Sequence, residues 1–478
     1  MALLNDAPMR EGARYVLVWL QQTLRGHDNP VIDAGVAVGN RLGLPVLVYH
    51  GLREDYPHAS DRLHRFILGA SRAMGRTLRE RGIACVQQVV RPETQEEARG
   101  LVYRLAENAA CVMCDRHATF VGRWQAERFA AKADLLVAAV DGTRLVPHAL
   151  LPSKGLGATK AFRAAHGAQR AQCLAERCEI APAVAVYEGT LPFTPDKLAD
   201  LDDTALEALV AQCRIDHTLP PSNEHPATKD AADTRVLRAI EMVLPRYKWA
   251  RNNPADAVGA SQLSPYLHFG MVSPFEILRG LDDAGIKASA RYKFVDELLT
   301  WREWGHWRMT EKPSLMQYDS LPGAARKTME EHAGDTRDIQ SMDALIHGET
   351  PDDTWNAAQK QWLITGWMHN NLRMYWSKQL LRWTDSPQAA WATACYLNDR
   401  LSLDGRDPAT YVSMRSSFGE GRPAYRESAI YGMIMPKSDS AIRKRSGAVE
   451  WLADMAQREV PRIALPKDDS WQQMYLGG

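Results

Sequence analysis

Five short apolar runs spaced through residues 1–150 constrain this chain more than any other feature. They are YVLVWL from Tyr15, LPVLVYHG from Leu44, GIACVQQVV from Gly82, ACVMCD from Ala110 and LLVAAVDG from Leu135. Short apolar runs rich in β-branched residues read as strands buried on both faces. Between them, DAGVAVGNRLG and HRFILGASRAMGRTLRERG repeat apolar residues at helical spacing, and each closes on a glycine, where a helix C-cap favours one. Alternating strands and helices predict a doubly wound parallel sheet, Rossmann-like in pattern. No GxGxxG or GxxxxGKS/T follows the first strand, so a phosphate-cradling loop of the usual nucleotide type is not predicted.

At 478 residues the chain is too long for one ordinary core. From about Leu151 to Asp230 the pattern loosens around EIAPAVAVYEGTLPFTP and HTLPPSNEHPATKD, which predicts a connector. Beyond it apolar residues recur every three or four positions, so the expected division is an α/β domain over 1–150, a linker over 151–230 and an all-α domain over 231–478. Most of the fourteen tryptophans fall after residue 249, so the two halves are expected to do different work.

Several classes are excluded at this level. No apolar run approaches the roughly 20 residues that span a bilayer, so no membrane association is expected. The opening MALLNDAPMREGARYVLVWL carries its apolar stretch inside the first strand with no cleavage site after it, so a cytoplasmic location is expected. Seven scattered cysteines fit a reducing compartment better than a disulfide framework, and the lone CxxC of Cys111 and Cys114 reads as buried strand rather than a metal or redox site. With 58 basic and 58 acidic residues the overall charge is zero, so any nucleic-acid contact must be local.

Three segments carry candidate chemistry. In YKWARNNPADAVGASQLSPYLHFGMVSP, Ser261 and Ser264 flank a turn and Pro265 suits the first turn of a helix. Hydroxyls and backbone N–H groups converging there suit an anion such as a diphosphate, and a serine-capped helix start explains them equally well. In FVDELLTWREWGHWRM, Glu297 and Trp301 are four apart and so are expected on one helix face, where a carboxylate beside an aromatic plate can hold a heterocycle. In the third segment, Trp376 and Trp383 are seven apart, two helical turns or about 10 Å along the axis, and with Trp355 they suit either packing or stepwise electron passage.

The ordered blocks RNNP with SQLSPYLHFG, ELLTWRE, NAAQ, TGWMHNNLRMYW and LNDRLSLDGRDP resemble the flavin-binding core of the photolyase/cryptochrome family. MYWSKQLLRW and LNDRLSLDGRDP are most similar to class II cyclobutane pyrimidine dimer photolyases, whereas WMHNNLRM is closer to other classes, as in a divergent branch. The resemblance covers nearly the whole chain, with the α/β half similar to the family's antenna domain. It implies FAD buried in the helical domain, a possible antenna chromophore of deazaflavin or pterin type, damaged DNA as partner, no metal and a monomer.

Carried over residue by residue, Tyr247, Ser261, Gln262, Leu263, Ser264 and Arg302 would hold the cofactor's phosphates and ribityl chain. Arg373 would pair with Asp404 or Asp407 beside the flavin ring, and Asn398 would face it. Trp376, Trp355 and Trp383 would form the electron path, with Trp376 nearest the flavin. Arg251, Glu297, Trp301, Trp367 and Asn370 would meet the flipped-out dimer. After DGRDP the family places a tryptophan that stacks on the dimer. This chain reads ATYVSMRSSFGEGRPAYRES, with Ser416 near that position and no acidic residue directly before Arg422. Dimer repair in DNA, as a carbon–carbon lyase, is therefore expected alongside two alternatives: a cryptochrome-like photoreceptor, or a flavin enzyme acting on a non-DNA substrate.

Overall fold

The apolar runs fold as strands because neither face of them tolerates water. The computed structural model describes residues 1–91, 100–175 and 179–477. Strands β2 (Tyr15–Trp19), β3 (Val46–Arg53), β4 (Ala84–Val90), β5 (Ala109–Asp115) and β6 (Val137–Val140) join a short β1 (Ala2–Leu3) in one six-stranded sheet. Every residue of β2, β5 and β6 is buried, as expected of strands covered by helices on both sides. The order β1-β6-β5-β2-β3-β4 means the chain builds outward from β2 through β3 and β4, then returns to β2's other side with β5 and β6.

Pairing is parallel throughout except at β1, where Ala2 and Leu3 run antiparallel to Ala139 and Ala138. The expected doubly wound parallel sheet carries one antiparallel edge strand, whose two residues are too few to leave a periodic signal. The helix Pro30–Leu42 starts at Asn29, whose side chain accepts from the Val31 amide, and stops at Gly43 with φ of 67°. Cys111 and Cys114 both lie in β5, fully buried, and burial pushes the Cys111 thiol up to about 11, so neither is poised as a thiolate. The six described cysteines are free, and Cys178 lies outside the described residues.

From Lys229–Arg238 to Gln473–Leu476 the described chain is helical with irregular connections. Residues 151–230, expected as a connector, carry helices Thr159–Ala175 and Asp203–Ala211. The first is pinned by His166, whose Nε2 lies 2.7 Å from Glu303 Oε2. Glu303 also accepts from the Leu145 amide, so one buried carboxylate ties three parts of the chain together.

Arg62 fixes the α/β half onto the helical half. It is 1 % exposed, with no carboxylate among its hydrogen-bond partners. Its guanidinium donates to Trp362 O and Leu401 O at 2.9 Å, to Pro220 O at 3.0 Å and to Leu363 O. Those carbonyls include the last turns of helices Asp353–Thr365 and Pro387–Leu401, so a cation meets the negative ends of two helices. No helix among the described residues is long and apolar enough to cross a membrane.

Candidate functional site

A cavity of about 460 Å³ opens in the helical half, within the range of small-molecule sites. Tyr247, Ser261, Gln262, Leu263, Ser264, Arg302, Arg373, Asp404 and Asp407 line it, as do Arg251, Glu297, Trp367 and Asn370. These residues come from five helical segments and three loops. Sequence order alone would not bring them together.

One wall is an ion pair. Arg373 Nη2 meets Asp404 Oδ1 at 3.0 Å, with both side chains 6 % exposed. Burial pushes Asp404 upward, but Arg373, Ser264 and Ser402 outweigh it and hold the carboxyl below its ordinary value. Of the two aspartates open to Arg373, the structure selects Asp404. Asp407 instead caps helix Pro408–Ser417 by accepting from the Ala409 amide at 2.9 Å, and it faces His268 Nδ1 at 3.2 Å and His306 Nε2 at 3.4 Å.

The serine turn differs from a capped helix start. Helix Ser264–His268 has Leu263 at its N-cap and no side-chain cap bond. The Ser264 hydroxyl is directed to Asp404 instead. Gln262 adopts φ of 53°, the left-handed region that non-glycine residues seldom occupy, and its Oε1 accepts from Arg235 at 2.8 Å.

Asn398 is fully buried and does not line the cavity. Its Nδ2 donates to Asp399 Oδ1 at 3.0 Å, to Gly405 O at 2.5 Å and to Thr410 Oγ1 at 3.3 Å, and Thr410 does line it. Asn398 Oδ1 and Arg373 Nε are buried with no hydrogen-bond partner among the described residues. Next to Asn398, Asp399 accepts from Tyr411 and Tyr475 at 2.5 and 2.9 Å, and burial pushes its carboxyl up to about 7.

Behind Arg373 stand the tryptophans. Trp376 and Trp355 stack at 5.6 Å between ring centroids and 11° between planes, and Trp355 meets Trp383 edge-on at 5.1 Å. The run is wholly interior, ending at Trp383 with 3 % exposure. The sequence reading missed Trp362, which packs edge-on against Trp376 at 5.1 Å beneath the Arg373 guanidinium at 5.2 Å. Its proximity to the NAAQ block was the available signal.

Glu297 and Trp301, expected on one helix face, both fall in the π-helical turn Asp296–Trp301, and of the two only Glu297 lines the cavity. Glu297 lines the cavity, paired with Arg251 at 3.1 Å and Lys293 at 2.8 Å. Trp301 lies outside it, 37 % exposed and edge-on to Trp304 at 5.9 Å. Ser416 accepts from Arg422 Nε at 3.0 Å, and Arg422 lines the cavity.

A second, smaller cavity of about 140 Å³ lies at the carboxyl ends of β2, β3 and β5, where the order of the sheet reverses. Open α/β sheets take ligands at such a switch point. Gln22, His50, His117, Thr119 and His268 line it, so the His268–Asp407 contact links the two cavities.

A DNA photolyase family model matches residues 16–184. A deoxyribodipyrimidine photo-lyase of Methanothermobacter thermautotrophicus is 29% identical over 437 residues, 90% of this chain and 92% of that one. In fold, the chain is similar to a bacterial class III photolyase from Agrobacterium tumefaciens, with TM-score 0.67 and 19% identity over 93% of this chain and 87% of that one. It is also similar to a Synechocystis sp. PCC6803 cryptochrome, with TM-score 0.66 and 16% identity over 94% and 90%. The family match over the α/β half, the near full-length relative and the fold together make this chain similar to DNA photolyases, and in fold to a cryptochrome as well.

Proposed function

We propose that this chain is a blue-light-driven FAD protein that repairs cyclobutane pyrimidine dimers in DNA, a deoxyribodipyrimidine photo-lyase of class II type. The observation that carries this reading is the Trp376–Trp355–Trp383 run, which reaches Arg373 of the cavity wall through Trp362. Reduced FAD, when bound, supplies the light-excited electron donor.

The chain's residues fit such a group. Arg373 Nε is a buried donor in the cavity wall without a protein partner among the described residues, and a flavin edge offers the complementary carbonyl. Tyr247, Ser261, Gln262, Leu263 and Ser264 would hold the phosphates and ribityl chain, with Arg302 beside them. Arg251, Glu297, Trp367 and Asn370 would meet a flipped-out dimer at the mouth, with Trp301 flanking it outside. Flipping costs a few kcal/mol and least at a damaged pair, which favours lesions over intact DNA. The second cavity supports an antenna chromophore of deazaflavin or pterin type. A cytoplasmic monomer completes the reading.

Ser416, standing near the family's dimer-stacking tryptophan, favours a second reading: a cryptochrome-like photoreceptor that keeps the flavin and lacks repair. Irradiating the reduced, FAD-loaded chain with a dimer-bearing oligonucleotide separates the two. Loss of dimers under blue light supports repair, and intact dimers with FAD bound overturn it.

A further inference from the structure

Two helices packed on each other each carry a pair of tryptophans two turns apart: Trp355 and Trp362 on Asp353–Thr365, Trp376 and Trp383 on Asn370–Trp383. Two turns put the members of each pair on one face of their helix. The rings then alternate between the helices in the order Trp362, Trp376, Trp355, Trp383, with centroids 5.1, 5.6 and 5.1 Å apart at successive steps. All four are buried, and Trp362, Trp376 and Trp355 fully so. The series has its inner end at Trp362, because Arg373, which lines the cavity, lays its guanidinium over that ring at 5.2 Å.

Taking an electron from an indole leaves a positive charge on the ring. A hydrogen bond from the ring N–H to an oxygen stabilises that charge, and a neighbouring cation opposes it. Trp376 Nε1 donates to Gln359 Oε1 at 2.9 Å, and Trp355 Nε1 donates to Trp376 O at 3.0 Å. Trp362 Nε1 is buried with no acceptor among the described residues, and a guanidinium stands over its ring. A positive charge is therefore less stable on Trp362 than on the next two rings and is driven outward, away from the cavity. An indole kept for packing alone gains nothing from an unsatisfied buried N–H, which costs stability. We propose that Trp362 is the innermost electron donor of this chain, giving one electron to the light-excited oxidised flavin ahead of Trp376. Trp376 then refills Trp362, Trp355 refills Trp376 and Trp383 refills Trp355, and an external thiol supplies the electron that restores Trp383. Each cycle thus oxidises the thiol by one electron and reduces the flavin by one. The order rests on the flavin reading above and puts Trp362, in place of Trp376, at the cavity end.

Two optical signals of the full, FAD-loaded chain separate the first step from the rest. Flavin fluorescence in the oxidised state reports the innermost donor, which quenches it, and blue-light bleaching with dithiothreitol reports the whole series. Trp362→Phe is expected to raise the fluorescence severalfold and slow the bleaching severalfold. Trp376→Phe, which cuts the series one step later, is expected to slow the bleaching while the fluorescence stays as low as the parent's. This second variant decides the order even where Trp362→Phe fails to fold. Fluorescence released by Trp376→Phe, or a flavin-loaded Trp362→Phe chain with both signals at the parent's level, overturns the order and leaves the flavin reading standing. A parent chain without flavin bands after reconstitution overturns the flavin reading and the order with it.

Discussion

Replacing Asp404 by asparagine keeps the shape of the cavity wall and deletes one charge. Arg373 is then left 5 % exposed with its cation unanswered. At 3.0 Å and an effective dielectric of about 20, the lost attraction is about 5 kcal/mol, and removing one member of a buried pair costs about 3–5 kcal/mol in practice. Asp404→Asn is therefore expected to lose that much stability, read as an earlier urea midpoint by far-ultraviolet circular dichroism of the apoprotein. Arg373→Met with Asp404→Leu removes both charges and is expected to return close to the parent, because desolvation largely cancels a buried pair's attraction. The same pair sets an acid limit. Its carboxyl titrates below the ordinary value, so its contribution is complete above about pH 4 and is lost as pH falls through the depressed value. An Asp404→Asn chain as stable as the parent, or a double variant no better than the single, would refute the coupling.

Three other outcomes follow from the described contacts. Arg62→Met strands the carbonyl ends of two helices and is expected to cost about 3 kcal/mol or more, lowering the unfolding midpoint without altering the cavity residues. Asp399, raised to about 7, favours folding when protonated, so stability falls as pH rises from about 4 to 7. Asp399→Asn should remove that slope and gain up to about 4 kcal/mol at pH 8, measured by denaturation across pH. Trp301→Ala, at an exposed ring, should leave folding intact and weaken damaged-DNA affinity about tenfold or more, measured by anisotropy.

The parts of the fold carried by strong periodicity were legible in the sequence. The five strands announced themselves because burial on both faces demands unbroken apolar runs, and Trp376 and Trp383 stood two turns apart, as they do on helix Asn370–Trp383. The rest depended on contacts between distant segments or on local geometry with no compositional mark. That Glu297 lines the cavity while Trp301 stands 37 % exposed beside it depends on what packs around the turn Asp296–Trp301, which helical spacing does not carry. The choice of Asp404 over Asp407 follows from Asp407's cap and its two histidines, contributed from more than a hundred residues away.

The central claim is that the cavity holds a flavin served by the buried tryptophans. Illuminating the purified, oxidised chain with blue light in the presence of an external reductant, and following the flavin bands, tests it directly. The parent is expected to bleach, and Trp376→Phe, with its flavin content unchanged, to bleach far more slowly. Equal bleaching in both proteins, or a parent chain without flavin bands after reconstitution, would contradict the account.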